Sequence, residues 1–118
     1  MPELDPTIMS QFIGSEEWYR HSLMRNILFT QGAKYVADTA GAYWLLDEIA
    51  TSQLMPEIHA EEFQVWKLKV LPGDQADLVV EDGNDNVVFQ KHIEYTDFPE
   101  PGIDLWFQNN TIFLPSEY

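Results

Sequence analysis

The chain has 118 residues, 45% of them hydrophobic and 14% aromatic, with 20 acidic against 6 basic side chains and a formal net charge of -14 at pH 7. That apolar content excludes a disordered chain, and the length suits one domain burying about two-thirds of its unfolded surface. The absence of cysteine removes disulfides and thiolate metal sites, and the charge opposes direct contact with nucleic-acid phosphates or an anionic membrane.

Residues 1–14 carry two prolines and little periodicity, and read as an N-terminal arm ahead of a single α+β domain, 15–118. The start, Met1-Pro2-Glu3-Leu4-Asp5-Pro6, lacks the basic and apolar regions of a signal peptide. No apolar run approaches the ~18 residues of a membrane span, so a cytoplasmic protein is expected. A helix is predicted from Ser15, whose hydroxyl can cap free amides while Glu16 and Glu17 sit at the positive end of the dipole. Tyr19, Leu23 and Ile27 would be its buried stripe, and Thr30-Gln31-Gly32 its break.

A second helix places Ala33, Val36, Ala37 and Ala40 on one face, with Gly41 as a left-handed closure or a kink. The next has Ala42, Leu45, Leu46, Ile49 and Ala50 apolar and Asp47, Glu48, Thr51 and Ser52 opposite, and Pro56 ends it. From Glu62 the period falls from 3.6 to 2. Three strands are predicted, 62–71, 77–81 and 86–96, separated by turns at Pro72-Gly73-Asp74 and Asp82-Gly83-Asn84-Asp85.

A register follows from requiring opposite residues to share a face. Val80 across from Val87 sets Leu78 across from Phe89. Leu68 across from Val80 sets Val70 across from Leu78 and Lys67 across from Glu81. The apolar face is then Trp66, Leu68, Val70, Leu78, Val80, Val87, Phe89 and Ile93. Asn109-Asn110 tolerates positive φ and predicts a C-terminal hairpin. Its two faces are both apolar, one with Leu105, Phe107, Ile112 and Leu114 and the other with Trp106 and Phe113. The expected fold is α+β, with N-terminal helices packed on an antiparallel sheet made of a three-stranded meander plus this hairpin.

The blocks Gly41-Ala42-Tyr43-Trp44-Leu45-Leu46-Asp47-Glu48-Ile49-Ala50, Phe63-Gln64-Val65-Trp66-Lys67-Leu68, Tyr95-Thr96-Asp97-Phe98-Pro99 and Leu114-Pro115-Ser116-Glu117-Tyr118 resemble the signature of a family. Its members are small bacterial, plasmid and phage proteins without an established function. The resemblance runs from about Glu16 to the last residue. It implies a bacterial or mobile-element cytoplasmic protein and brings no activity, cofactor or catalytic residue.

Candidate chemistry starts with His21, His59 and His92, the side chains suited to a neutral-pH proton shuttle or an imidazole ligand. His59-Ala60-Glu61-Glu62 offers several ligands but no helical i, i+4 histidine pair, and reads as a solvated approach to a strand. His92 falls on the outward sheet face, and His21 reads as a packing residue. Glu81-Asp82-Gly83-Asn84-Asp85-Asn86 looks calcium-like but lacks EF-hand spacing, and a hairpin turn explains it. No nucleophile elbow, P-loop or dinucleotide fingerprint occurs. No catalytic residue, cofactor or metal site is therefore assigned.

Tyr43, Trp44 and Trp66 read as core, Trp18 lies off the first helix's stripe, and Trp106 and Phe113 read as an aromatic contact pair. Over a folded surface of about 6,600 Å² the net charge averages one per about 470 Å². Duplex DNA carries one per about 100 Å², so imitation of nucleic acid requires the acids to gather on one face. These features point to a non-enzymatic acidic module binding a basic, nucleic-acid-handling protein, with Glu81, Asp82, Asp85, Trp106 and Phe113 as the contact residues. The alternatives are a small hydrolase or metal-dependent enzyme using His59 or His92 with nearby carboxylates, and a structural homo-oligomer subunit.

Overall fold

A computed structural model of the chain describes residues 4–13 and 17–118. In chain order the elements are α1 (Pro6–Met9), β1 (Trp18–Arg20), β2 (Leu28–Thr30), α2 (Gln31–Ala40), α3 (Tyr43–Ser52), α4 (Pro56–His59), β3 (Phe63–Leu71), β4 (Gln75–Glu81), β5 (Val87–Ile93), β6 (Gly102–Gln108) and β7 (Thr111–Phe113), followed by a 3-10 turn, Pro115–Glu117. The strands form one seven-stranded sheet in the order β1-β2-β7-β6-β3-β4-β5. All neighbours are antiparallel except β2 and β7, which run parallel.

The α+β class therefore holds, but the layout differs from a meander plus a separate hairpin. β6 pairs with β3, so the C-terminal hairpin forms the middle of the sheet. Two strands come from the segment predicted as the first helix: Trp18 faces Thr30, Tyr19 faces Phe29 and Arg20 faces Leu28. Its proposed cap, Ser15 with Glu16, lies outside the described residues. The helical stripe fails at Leu23, which is 71% exposed. His21 explains the turn, because its Nδ1 accepts the backbone N–H groups of Met24 at 2.9 Å and Leu23 at 3.2 Å. Local side-chain bonding of this kind competes with helix, and the flanking Trp-Tyr and Ile-Leu-Phe-Thr runs favour strand.

Thr30-Gln31-Gly32 is a helix start rather than a break. The Thr30 hydroxyl oxygen accepts from Ala33 N and caps α2, which Gly41 closes in the left-handed conformation. Pro56 stands at the first position of α4, past the end of α3 at Ser52. In the lead-in, Asp5 caps the single turn of α1, and Leu4, Met9 and Phe12 pack against the core.

The predicted register is off by two residues at both meander pairings. Leu68 faces Leu78, Trp66 faces Val80, and Val80 faces Phe89. The first slide comes from a tight turn: Leu71 already faces Gln75, with φ 83° at Gly73 and 57° at Asp74. The second comes with a bulge between Val80 and Glu81 that leaves Val87 56% exposed rather than in the core. A slide of two residues keeps each side chain on its own face, whereas a slide of one inverts the sheet. Trp66, Leu68, Leu78 and Val80 are accordingly buried. Lys67 and Glu81 still form an ion pair, at 3.1 Å, but diagonally, since Lys67 faces Val79.

The core lies between the inner sheet face and α2–α4, where Val36, Leu45, Leu46, Ile49 and Ile58 meet Trp66, Leu78, Leu105 and Ile112. A polar network sits inside it. Gln64, fully buried, exchanges amide hydrogen bonds with Gln53 at 2.8 and 2.9 Å, donates to the Ile58 carbonyl, and accepts from the Trp66 indole N–H. The Gln53 and Ile58 bonds tie the ends of α3 and α4 to β3, the indole bond lies within β3, and orphaning one buried partner costs about 1–3 kcal/mol. Gly102 allows β6 to close on β3: with φ at 119°, an added Cβ would stand 1.9 Å from the Leu68 carbonyl oxygen.

Candidate interaction surface

Alternation along the strands leaves a second face that, among the described residues, α2–α4 do not cover. Phe63, Val65, Lys67 and Lys69 point outward from β3, and Trp106 and Asp104 from β6, each next to a residue buried on the inner side. One row of this face runs Phe113–Trp106–Val65–Glu81 across adjacent strands β7, β6, β3 and β4. The proposed contact residues are thus neighbours: Trp106 and Glu81 stand two strand spacings apart, roughly 10 Å. Asp82 and Asp85 follow in the loop at the end of the row.

The row's aromatic half is a cluster. Trp106 meets Phe63, Tyr118 and Phe113 edge-on at centroid distances of 5.1, 5.4 and 6.2 Å, and Tyr118 stacks along Phe113 at 6.1 Å. This arrangement corrects one expectation, because Phe113 is buried and Tyr118, at 75% exposure, presents the open ring. Tyr43, expected in the core, is also 43% exposed and donates its hydroxyl proton to Asp38. Trp44 is part-buried against the core and Trp66 fully within it.

Glu117 holds the C-terminal turn in place. Its carboxylate accepts from the Thr30 hydroxyl at 2.6 Å, the Leu114 N–H at 2.8 Å and the Gly32 N–H at 3.2 Å. A Cβ on Gly32 would lie 2.5 Å from that carboxylate, so glycine is what lets the turn seat on α2.

The acidic half is less free than its formal charge implies. Glu81 is paired with Lys67, and its side chain is only 14% exposed. The Asp82 carboxylate accepts from the Asn86 and Asn84 backbone N–H groups and the Asn86 side chain, which holds its carboxyl below the usual aspartate value. Asp85 is exposed, with φ 65°. The loop folds toward the aromatics: an added Cβ on Gly83 would stand 3.3 Å from the Phe63 ring. Asp104 behaves oppositely to Asp82. Partial desolvation raises its carboxyl, with Lys67 opposing the rise and Glu81 adding to it.

The charges divide by surface. Asp38, Asp47, Glu48 and Glu57 occupy the helices, Glu61, Glu62, Asp82 and Asp85 one end of the sheet, and Asp74, Glu94, Asp97 and Glu100 the other. The outer face is closer to balance, with Arg20, Lys67, Lys69 and His92 beside Asp77, Glu81 and Asp104.

The histidines do not converge. His21 is 3% exposed, lies in the loop after β1 rather than on a helix, and donates Nε2–H to Asp47 at 2.7 Å while its Nδ1 is occupied by two backbone donors. His92 is exposed between Asp77 and Gln75, each at 2.9 Å. His59 shares an open groove of about 370 Å³ with Glu61 and Glu62. Among the described residues no group of three or more His, Asp or Glu side chains is placed to hold a metal ion. None of their helices is long and apolar enough to cross a membrane.

Phe63, Glu117, Trp18 and Tyr118 were not singled out as site residues from sequence. Alternation in β3 would have exposed Phe63 as a neighbour of Val65. Nothing local marks Tyr118, which reaches the cluster only because the chain folds back.

Fold and surface together define a two-layer α+β protein with a mixed, one-side-covered sheet and an aromatic patch on the open side. The chain belongs to a family of unknown function, DUF6876, which matches residues 6–118. No curated protein and no solved structure matches it.

Proposed function

We propose that this protein is a non-enzymatic interaction module of bacterial or mobile-element origin that binds a basic, nucleic-acid-handling protein through the open sheet face. The observation that supports this reading is the aromatic cluster of Phe63, Trp106 and Tyr118 on an uncovered face, with the Asp82–Asp85 loop folded against it. Aromatic anchors ringed by charge are the usual makeup of binding hot spots, and acidic rims steer cationic partners. The acids on the remaining surfaces add long-range attraction for the same partner. Nothing in the placement of the histidines favours the hydrolase alternative.

The test is affinity capture from a bacterial lysate with the tagged full chain and three variants. Wild type and Glu57→Lys, on the helix side, should retain one basic partner. Trp106→Ala and the pair Asp82→Lys/Asp85→Lys should each lose about tenfold or more of it. Equal capture by all four proteins sinks the reading. A second occupant, another copy of this chain, is favoured by the near-balanced charge of the outer face. It would appear as a concentration-dependent sedimentation coefficient lost in Trp106→Ala.

A further inference from the structure

Beside the aromatic cluster, at the β2–β7 side of the open face, lies a groove of about 330 Å³. Trp18 and Tyr118 flank it, and they are 55% and 75% exposed. Gln108, Asn109, Phe113 and Glu117 also line it. Two large rings are therefore held in water around a carboxylate. Every hydrogen bond to Glu117 comes from a neutral donor, and among the described residues no cation pairs with it. Arg20, also on this face, turns its guanidinium to the Arg25 carbonyl.

We infer that this groove receives an arginine side chain of the protein partner, which rests on the interaction-module reading. Three features select a guanidinium. Its flat face stacks on Trp and Tyr rings. Its five N–H donors match a wall that supplies an acceptor, Glu117 Oε2, which takes only the long Gly32 bond, beside the polar residues Gln108 and Asn109. Its charge suits a chain with a net charge of -14. The groove is also pre-formed, since the strap that carries Glu117 and Tyr118 is clamped to Thr30 and Gly32.

The experiment is a titration of the ¹⁵N-labelled full chain with three acetylated, amidated tripeptides, Gly-Arg-Gly, Gly-Lys-Gly and Gly-citrulline-Gly, followed by NMR. The arginine peptide should move the Trp18 indole N–H and the Thr111 and Tyr118 amides with a dissociation constant on the order of millimolar. The lysine peptide should bind several-fold more weakly, and the neutral citrulline peptide should leave those signals in place. Trp18→Leu and, independently, Tyr118→Leu should each weaken the arginine peptide by about three- to tenfold. Glu117→Gln should do the same if its spectrum keeps the strap signals, and the two aromatic variants carry the test if it does not. Equal shifts from citrulline, or shifts that persist in Trp18→Leu, overturn the inference, and lysine matching arginine overturns the assignment to a guanidinium. The peptide is read without any partner present, so the two proposals fail separately. No arginine binding with capture still dependent on Trp106 removes only the groove.

Discussion

The two faces of the sheet are made from the same strands, residue by residue in alternation, yet they differ in almost every physical respect. On the inner face Gln64, Trp66 and Leu68 are buried and each polar atom of the glutamine is used. On the outer face their chain neighbours Phe63, Val65 and Lys67 stay part-exposed, with Phe63 touched by the returning C-terminal Tyr118 and approached by the Gly83 turn. Trp66 and Trp106 make the contrast concrete. Both are tryptophans on adjacent strands, but one closes the core and the other stays part-exposed within a cluster of rings on the outer side. An unshared face on a small domain holds large rings in water without a folding benefit to match, which is how binding surfaces differ from cores.

The contrast breaks or holds on stability measurements. Trp66→Ala should lower unfolding free energy by about 3–5 kcal/mol in urea denaturation, while Trp106→Ala should cost no more than about 1.5 kcal/mol. Similar losses would mean that the outer face is core in disguise. Next in size is Gln64→Leu, which orphans the Gln53 amide oxygen and the Trp66 indole N–H and should cost about 2–3 kcal/mol. Adding Gln53→Leu should cost less than the sum of the two single changes, since the pair acts as a unit.

Smaller again is Gly32→Ala. It pushes on Glu117 and Leu114 and should cost about 1 kcal/mol while shifting the NMR signals of Tyr118 and leaving those of Leu78 and Val80 in place.

The finest test compares two aspartates of the outer side by carboxyl NMR titration. Asp82 should titrate below the free value of about 3.9 and Asp104 above it. For Asp82 the folded value is depressed, so its contribution to stability is present above about pH 4 and is lost as pH falls through the folded value. For Asp104 the folded value is raised, so the ionised carboxylate opposes folding at neutral pH and that opposition fades on acidification. Asp104→Asn should therefore stabilise the protein at pH 7, and the gain should vanish below about pH 4.

Much of the inner face was legible in the chain. The 3.6-residue spacing of Ala33, Val36, Ala37 and Ala40 marked α2, and the two-residue spacing of Trp66, Leu68, Leu78 and Val80 marked the sheet's covered side. The Asn109-Asn110 turn was also readable, with φ of 54° and 57°. The Tyr19, Leu23 and Ile27 spacing misled, because three apolar residues four apart describe a helix only if the intervening backbone stays helical. His21 bonded that backbone instead. Of the proposed contact surface, Trp106 and Glu81 were readable as outward-facing residues, but Tyr118 and Glu117 were not.

What the sequence alone determined is the pattern of alternation and charge: which residues avoid water, which face each strand buries, and the excess of acids. These are local or summed properties, set by side-chain period and composition. The tertiary structure decided strand order, the two-residue slides, and the return of the C-terminus over Trp106 and onto α2. Those depend on loop closure and on contacts between residues as far apart as Thr30 and Glu117, and no local spacing encodes a contact that exists only once the chain has folded back.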